Sequence, residues 1–310
     1  MATSAEATKL AASLPDHAWN DVACGLCGSR ERSLMFKDGR FEVVTCKDCE
    51  LTYVTPRLDD STLIDEVYGE KYWASEAAKA HGYTDYRSER PLYKKTYAKR
   101  MAVVKRHFQS PGRVLDVGCA AGYFLEVMKE NGWDVTGLEP SDSIRERAAE
   151  ALGADNVRGG LLGQVDFGDQ RFDLITMWDV IEHIPDPVAA VREVKKLLAP
   201  GGKFLIETQN IDSRAAKTLG PKWQHFKHFE HIYHFNAKTL GDVLTRGGFK
   251  MVENSARLGG KYVSMGFIVE RAGRLNPIMS TLLSPLKLFR DSSVYVNLYD
   301  EMIVVAEPTD

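Results

Sequence analysis

The sequence predicts an α/β protein built on a mostly parallel sheet of the nucleotide-binding kind, and three stretches carry that prediction. Residues 114–122, VLDVGCAAG, read as a buried strand running into a tight turn built on Asp116, Gly118 and Gly122. Behind them, Tyr123 to Asn131 has helical periodicity, with Phe124, Leu125, Val127 and Met128 apolar and Glu126, Lys129 and Glu130 polar. Trp133 to Leu138 is a second strand, and it ends in Glu139, 23 positions after Asp116. Strand, glycine turn and helix together form the first crossover of such a sheet.

The spacing within the turn selects its ligand. A dinucleotide fingerprint reads Gly-x-Gly-x-x-Gly and seats a pyrophosphate on the helix N-terminus. Here the order is Asp-x-Gly-x-x-x-Gly, and Asp116 at the strand end would repel a diphosphate. An acid there suits a cation, such as the amino group of a methionine moiety. Glu139 stands where a carboxylate can take both hydroxyls of a ribose. Glycines let the ligand approach the backbone without a Cβ in the way.

On these residues the chain resembles class I S-adenosylmethionine-dependent methyltransferases, and the resemblance continues through Phe172 to Ile184 (FDLITMWDVIEHI), similar to that family's fourth strand and following turn. Val188 to Leu198 is the amphipathic helix after it, closed by Pro200-Gly201-Gly202, and Lys203 to Thr208 is a fifth strand. Gly248 to Val252 resembles the sixth strand, and Tyr295 to Ala306 the seventh, which in this family inserts antiparallel. The resemblance implies a Rossmann-like seven-stranded methyltransferase sheet. It also implies a cofactor site at Asp116, Gly118, Cys119, Ala120, Gly122, Tyr123, Glu139, Pro140, Leu161, Trp178, Asp179 and His183. In place of the family's acid after the third strand stands Arg158-Gly159-Gly160-Leu161-Leu162, so backbone near Leu161 serves the adenine. Cys119 reads as a small packed residue rather than a nucleophile.

Four of the five cysteines form two Cys-x-x-Cys pairs, Cys24/Cys27 and Cys46/Cys49, with 18 residues between them. Two knuckles at this spacing supply the four converging thiolates of a tetrahedral structural zinc, one per chain. Ser33 to Thr45 reads as a hairpin between them. A closed four-cysteine site has no open position for catalysis, so the metal's work there is folding a small N-terminal zinc ribbon.

Residues 1–20 are expected to be a flexible tail, 21–56 the zinc ribbon, 57–110 a helical cap or linker, and 111–310 the methyltransferase domain. A helical insertion at about 271–293 carries an apolar series from Leu275 to Phe289, which could form a homodimer seam, touch a membrane surface, cap the site or pack on the sheet. Two polar helices with Tyr68, Tyr72 and Trp73 between them are expected in the linker, followed by a basic helix from Arg87 to His107. That helix is either a phosphate-tracking surface or a solvated face. At 310 residues and 44% hydrophobic the chain can bury a large core, and a net charge of −3 argues against nucleic acid as partner. No apolar run approaches the ~20 residues that span a bilayer, and Met1 to His17 lacks a signal-peptide core, so a cytoplasmic location is expected.

Half of the eight histidines, 225, 228, 231 and 234, fall within Trp223 to Asn236, interleaved with aromatics. Their spacing leaves three readings open: a second metal site, packing histidines, or an acceptor pocket with one histidine as general base. Glu230-His231-x-Tyr233-x-Phe235 is similar to a subfamily of zinc-ribbon methyltransferases of cell-surface polysaccharide and secondary-metabolite pathways. That comparison makes His231 the first candidate for the base, followed by His228 and Tyr233. The expected function is methyl transfer to a small hydroxylated or amino metabolite, such as a sugar nucleotide or a glycan or secondary-metabolite precursor, with oxygen favoured. An RNA methyltransferase with a ribbon recognition module and a non-catalytic cofactor-binding scaffold are the alternatives.

Overall fold

The computed structural model describes residues 16–59, 62, 86–275, 281–289 and 292–310. The two polar helices expected around Tyr68 to Trp73, and residues 1–15 of the expected tail, lie outside the described residues.

The N-terminal unit contains β1 (Trp19–Asn20), β2 (Arg32–Asp38), β3 (Phe41–Cys46), β4 (Thr52–Thr55) and β5 (Arg57–Leu58). β2 and β3 form the hairpin that the sequence places between the cysteine pairs, with Gly39 in its turn at φ 60°. Trp19 and Asn20, expected in the tail, pair with Leu58 and Arg57. The reason is aromatic: the Trp19 ring packs edge-on to Phe41 and Phe229 at 5.4 and 6.1 Å, and Arg40 caps it at 4.6 Å.

After α1 (Tyr86–His107), the large domain runs β6 (Arg113–Val117), α2 (Tyr123–Glu130), β7 (Asp134–Glu139), α3 (Asp142–Leu152), β8 (Val157–Gly159) and β9 (Phe172–Trp178). It continues with α4 (Pro187–Leu197), β10 (Leu198–Gln209), α5 (Arg214–Leu219), β11 (Tyr233–His234), α6 (Ala237–Arg246) and β12 (Phe249–Ser255). β13 (Lys261–Ser264), α7 (Met265–Leu275), β14 (Ser293–Val296) and β15 (Glu301–Pro308) complete it. Seven strands form one sheet in the order β12-β15-β10-β9-β6-β7-β8. β15 runs antiparallel to both neighbours, as the sequence resemblance implies, while β8, β7, β6, β9 and β10 are mutually parallel. The order reverses between β6 and β9, the position where such sheets open a crevice at the carboxyl ends of their strands.

Each face of the sheet buries a helical layer. Along β15, Met302, Val304 and Ala306 join the cluster of α4 and α6 (Val188, Val191, Val194, Leu240, Val243, Leu244). Ile303 and Val305 join the opposite cluster, with Met101 and Val104 of α1 and Phe124 and Val127 of α2. A strand covered on both faces is apolar at most positions, which is why Met302 to Ala306 of β15 is an unbroken hydrophobic run. Each fully buried Leu or Val contributes roughly 1.5–3 kcal/mol of transfer free energy.

Three elements differ from expectation. Pro200-Gly201-Gly202 does not close α4. It lies within β10, where the pairing to β9 shifts between Leu198 and Lys203 and Gly201 adopts φ 77°. The seventh strand starts at Glu301 rather than Tyr295, because Tyr295 pairs with Tyr262 in a separate β13–β14 hairpin. Tyr299 at φ 56° turns the chain between the two. The insertion's helix begins at Met265, ahead of the expected 271, and Leu282, Leu288 and Phe289 beyond it are exposed instead of packed on the sheet.

The expected boundary between ribbon and domain is crossed by one short strand. β11 pairs antiparallel with β4, Tyr233 opposite Tyr53 and His234 opposite Thr52, so the ribbon sheet has the order β11-β4-β3-β2. Around it, the Tyr233 hydroxyl donates to the Pro185 carbonyl (2.7 Å) and accepts from Arg57 (3.1 Å), and Arg246 donates to the Leu26 carbonyl. A Cβ on Gly25 would fall 1.9 Å from the Tyr233 hydroxyl, so this knuckle needs glycine to sit against the ring. We predict that Tyr233→Phe, which removes both hydroxyl contacts, lowers stability to urea by about 1–2 kcal/mol. An unchanged midpoint would show that the seam does not depend on them.

Candidate active site

The turn after β6 is fixed to the end of β7. The backbone N–H groups of Gly118 and Cys119 both donate to the Leu138 carbonyl, at 2.8 and 3.1 Å. Gly118, Ala120 and Gly122 adopt left-handed conformations, with φ of 71°, 46° and 78°. For Gly118 the need is also steric, since a Cβ would lie 2.7 Å from Val180 Cγ2. Ala120 holds this conformation without being glycine, a strained state of the sort that concentrates at ligand sites. Cys119 packs over Gly137, whose absent Cβ would meet the sulfur at 2.6 Å. Burial pushes the Cys119 thiol well above its ordinary range, consistent with the packing role read from sequence.

Two carboxylates face the turn from adjacent strands. Asp116 is buried and accepts the Thr176 hydroxyl from β9 at 2.6 Å. Burial raises its carboxyl to about 8, against the opposing effect of that hydrogen bond. Glu139 accepts the N–H of Ala120 on one oxygen (3.0 Å) and that of Ser141 on the other (2.9 Å). Burial lifts it to about 7. Each Glu139 oxygen keeps further acceptor capacity, which matches a vicinal diol such as a ribose.

Most of the cofactor candidates lie side by side along the carboxyl edge: Trp178 and Asp179 at β9, Asp116 to Gly122 at β6, Glu139 and Pro140 at β7, and Leu161 just beyond β8. The Tyr123 ring lies 5.7 Å from that of Tyr93 on α1. Trp178 packs on Phe124 and Tyr97 at 5.0 and 5.7 Å, with the Arg100 guanidinium 5.1 Å above its ring. Asp179, at φ 54°, pairs with Lys261 at 3.0 Å. Desolvation alone would raise its carboxyl, but Lys261 and then Arg100 overcome this and hold it at about 2. The Nδ1 of His183 lies 2.9 Å from the Glu230 carbonyl.

The four histidines of the aromatic stretch do not converge on one point. His225 lies 3.5 Å from Asp300 and 3.8 Å from Glu301. His228 turns to the ribbon, 3.4 Å from Asp38 and between Phe36, Phe41 and Phe226. His234 is fully buried with Nδ1 beside Gln209 Nε2 at 3.4 Å. His231 stands edge-on to His183 (4.8 Å) and stacks on His225 (6.2 Å). Of the three base candidates, His228 and Tyr233 therefore sit at the ribbon seam and His231 beside the turn that follows β9. Burial lowers the His231 imidazole well below its ordinary range, with His183 next in effect, and burial also lowers His183. Both imidazoles are held neutral near pH 7.

Sequence reasoning missed a charge network on the same edge. Arg100 of α1 pairs with Glu207 of β10 and lies 3.7 Å from Glu301 of β15, while Lys261 joins Glu301 (2.9 Å) to Asp179. Arg100 was grouped with a solvated or phosphate-tracking face, yet only 2% of it is exposed. Elsewhere on α1, Arg90 and Lys94 pair with Glu126, and Arg106 with Glu253. The available signal was the acid at Glu207 inside an apolar strand, a position that demands a partner.

The four cysteines of the ribbon come together. Sγ atoms of Cys24 and Cys49 are 3.4 Å apart, those of Cys27 and Cys46 3.5 Å, and all four lie within 4.8 Å of one another. Each knuckle closes alike: the N–H of Gly28 donates to the Cys24 carbonyl (2.8 Å) and that of Glu50 to the Cys46 carbonyl (3.0 Å), with both donors left-handed. Tetrahedral zinc at about 2.3 Å from each sulfur sets them about 3.8 Å apart, so the donor set fits that ion.

A family model described as a methyltransferase domain matches residues 86–254, more than half of the chain. Among curated proteins, the ubiquinone biosynthesis O-methyltransferase of Pectobacterium atrosepticum is 36% identical over 108 residues, covering 33% of this chain and 45% of that one. The protein of the same description from Nitrosospira multiformis is 31% identical over 155 residues, 44% of this chain and 59% of its own. The chain thus spans about half the length of the curated relatives it matches. Two solved structures share the fold. The magnesium protoporphyrin IX methyltransferase of Synechocystis PCC 6803, with bound SAH, has a TM-score of 0.51 at 14% identity and covers 81% of this chain and 100% of its own. The plantazolicin methyltransferase BpumL, with SAH and a substrate analogue, has 0.53 at 13%, covering 81% and 98%. Among the described residues, no helix is long and apolar enough to cross a membrane.

The buried acid at Asp116 gives a pH-dependent prediction. Its folded value of about 8 exceeds the ordinary ~3.9 of an unfolded chain, so the folded state holds the extra proton and loses stability as pH rises from about 4 to 8. Asp116→Asn keeps an oxygen to accept from Thr176 and removes that loss. Without ligand, the variant should melt several degrees above the parent at pH 8.5, the gap shrinking as pH falls toward 4. A gap of the same size at every pH would refute the assignment.

Proposed function

We propose that this chain, which belongs to the methyltransferase-domain family, is an S-adenosylmethionine-dependent O-methyltransferase acting on a small hydroxylated metabolite. The observation that carries the reading is the alignment, on neighbouring strand ends, of Asp116, the left-handed turn to Gly122, Glu139 and the Trp178–Asp179 pair. In this reading Asp116 and Asp179 face the cationic methionine end, Glu139 takes the ribose hydroxyls, and backbone near Leu161 borders the adenine. The bound cofactor supplies an electrophilic methyl group together with its own leaving group.

The chain's own contribution is to place an acceptor in line with that methyl and to receive its proton. His231, neutral and buried beside His183, suits a hydroxyl acceptor, because an uncharged imidazole can draw off the proton as the new bond forms. Trp178 and Tyr97 exclude water from the adjoining wall. The relatives named as O-methyltransferases support oxygen as the methylated atom. A sugar nucleotide, or a glycan or secondary-metabolite precursor, is the acceptor class we infer. The ribbon holds one structural zinc and, through β11, braces the segment bearing His231. Pairing of α1 with Glu126, Glu207 and Glu253 disfavours the RNA alternative by neutralising the basic helix.

Two tests follow. Asp116→Ala and Glu139→Ala should each weaken S-adenosylmethionine binding at least tenfold by calorimetry, with the zinc content held at about one per chain; parental affinity in both would overturn the cofactor site. His231→Ala should reduce kcat by about 10²–10⁴ with the cofactor Kd little changed, and parental turnover would leave His231 a packing residue.

A further inference from the structure

The β13–β14 hairpin lies outside the seven-stranded sheet, yet it delivers one charged group to the strand ends. Lys261, the first residue of β13, pairs with Val296 and places its ammonium 3.0 Å from Asp179 Oδ2 and 2.9 Å from Glu301 Oε1. Its backbone is held from both sides. A Cβ on Gly259 would lie 2.6 Å from the Glu301 carbonyl oxygen, and one on Gly260 2.4 Å from that of Val296, so glycine is needed for the chain to enter the hairpin here. The Gly260 N–H donates to the Tyr295 hydroxyl at 3.0 Å, and the Tyr262 N–H to the Thr96 hydroxyl of α1 at 2.9 Å. The two acids do not exhaust the ammonium. It carries three donors, of which Asp179 and Glu301 take two, and 42% of the side chain stays exposed while Glu301 beneath it is 5% exposed. Desolvation works against its charge, but Asp179, Glu301 and Glu207 overcome this and keep it protonated well above the ordinary lysine range. It is a fixed donor and not a base.

The neighbours of Lys261 lead to both halves of the site. Asp179 directly follows β9 and holds a left-handed φ of 54° without being glycine, a strained state of the kind found at ligand sites. On the other side, Glu301 Oε1 lies 3.8 Å from His225 Nε2, and the His225 ring stacks on His231. We propose that Lys261 is a catalytic residue of the acceptor site and donates its third N–H to the hydroxyl oxygen that receives the methyl group. The proposal rests on the methyl-transfer reading and specifies the acceptor atom within it. A fixed ammonium favours the ionised form of a neighbouring hydroxyl and repels a protonated amine, so the acceptor atom is the oxygen of an alcohol or phenol. In the step, the acceptor O–H bond breaks and an O–C bond forms. The proton passes to the His231 imidazole, and the electron pair of the broken C–S bond leaves with the sulfur of S-adenosylmethionine. Lys261 keeps its own proton throughout. A donor on so rigid a turn holds the oxygen in line at little cost in reorganisation.

The test uses para-nitrophenol as acceptor probe and S-adenosylhomocysteine, which carries no transferable methyl group, in place of the donor. The visible band of the nitrophenolate then reports ionisation of the bound probe, independently of turnover. We expect the full chain, with its ribbon zinc retained, to raise the acid dissociation constant of the bound probe about tenfold. Lys261→Arg should keep most of that rise and Lys261→Met should abolish it, with the Kd for S-adenosylhomocysteine little changed in both. A parent protein that binds S-adenosylhomocysteine but leaves the probe ionising as it does in buffer overturns the proposal and leaves the methyl-transfer reading standing; this arm needs no variant to fold. A rise that survives in Lys261→Met overturns the proposal as well. If S-adenosylhomocysteine does not bind while the probe still ionises through Lys261, the lysine site stands and the cofactor reading falls.

Discussion

Asp116, Glu139, Glu182, Glu207, Asp300 and Glu301 lie buried along the carboxyl edge of one sheet, where water cannot solvate them and each must find other compensation. The architecture around the site is a set of answers to that demand. Backbone N–H groups of the turn and of Ser141 serve Glu139, a strand hydroxyl serves Asp116, and the Trp223 indole serves Asp300. Arg100 and Lys261 reach in from α1 and β13, elements outside the sheet, to serve Glu207 and Glu301. Those two cations explain why α1 and the β13–β14 hairpin are held against the strand ends. The answers are incomplete, for Oε1 of Glu182, Oε2 of Glu207 and Oε2 of Glu301 have no hydrogen-bond partner.

The ribbon enters this scheme through contact with the acceptor side. β11 belongs to the ribbon's sheet by hydrogen bonding and to the large domain by sequence, and the residue two before it is His231. The cores merge too: Val43, Val44, Leu51 and Val54 share a cluster with Phe229, Ile232 and Phe235. Closing four cysteines around a metal therefore does more than fold a small module. Through that shared sheet and core, whatever orders the ribbon also orders the loop that carries His231.

Much of the cofactor side was legible because its signals are local. Asp116, the two glycines and Glu139 belong to one strand-turn-helix-strand unit, and the fold brings them together as their spacing implies. The cysteine knuckles are equally local and also converge. What stayed hidden depends on distant partners. Glu182 sits within a motif legible in the sequence, but His231, which the fold brings beside it, lies 49 positions later. Spacing of three made four histidines look alike, whereas the loop sends each to a different neighbour. Tyr295 to Ala306 read as one strand because hydrophobicity runs through it; the break comes from Asn297, whose side chain donates to the Ala256 and Arg257 carbonyls, and from the left-handed Tyr299. Arg100 was indistinguishable from its exposed neighbours until Glu207 was placed opposite it.

The pairing of β4 with β11 also has a consequence for how the chain is made. Some 180 residues separate Tyr53 from Tyr233, and a protein synthesised from its N-terminus offers the first long before the second exists. The cysteine knuckles and β2–β4 can assemble early, but the outer edge of β4 then stays open, a row of unpaired backbone groups that invites intermolecular strand addition. Nascent ribbon is thus the aggregation-prone stage of biosynthesis, and emergence of the histidine segment is what ends it.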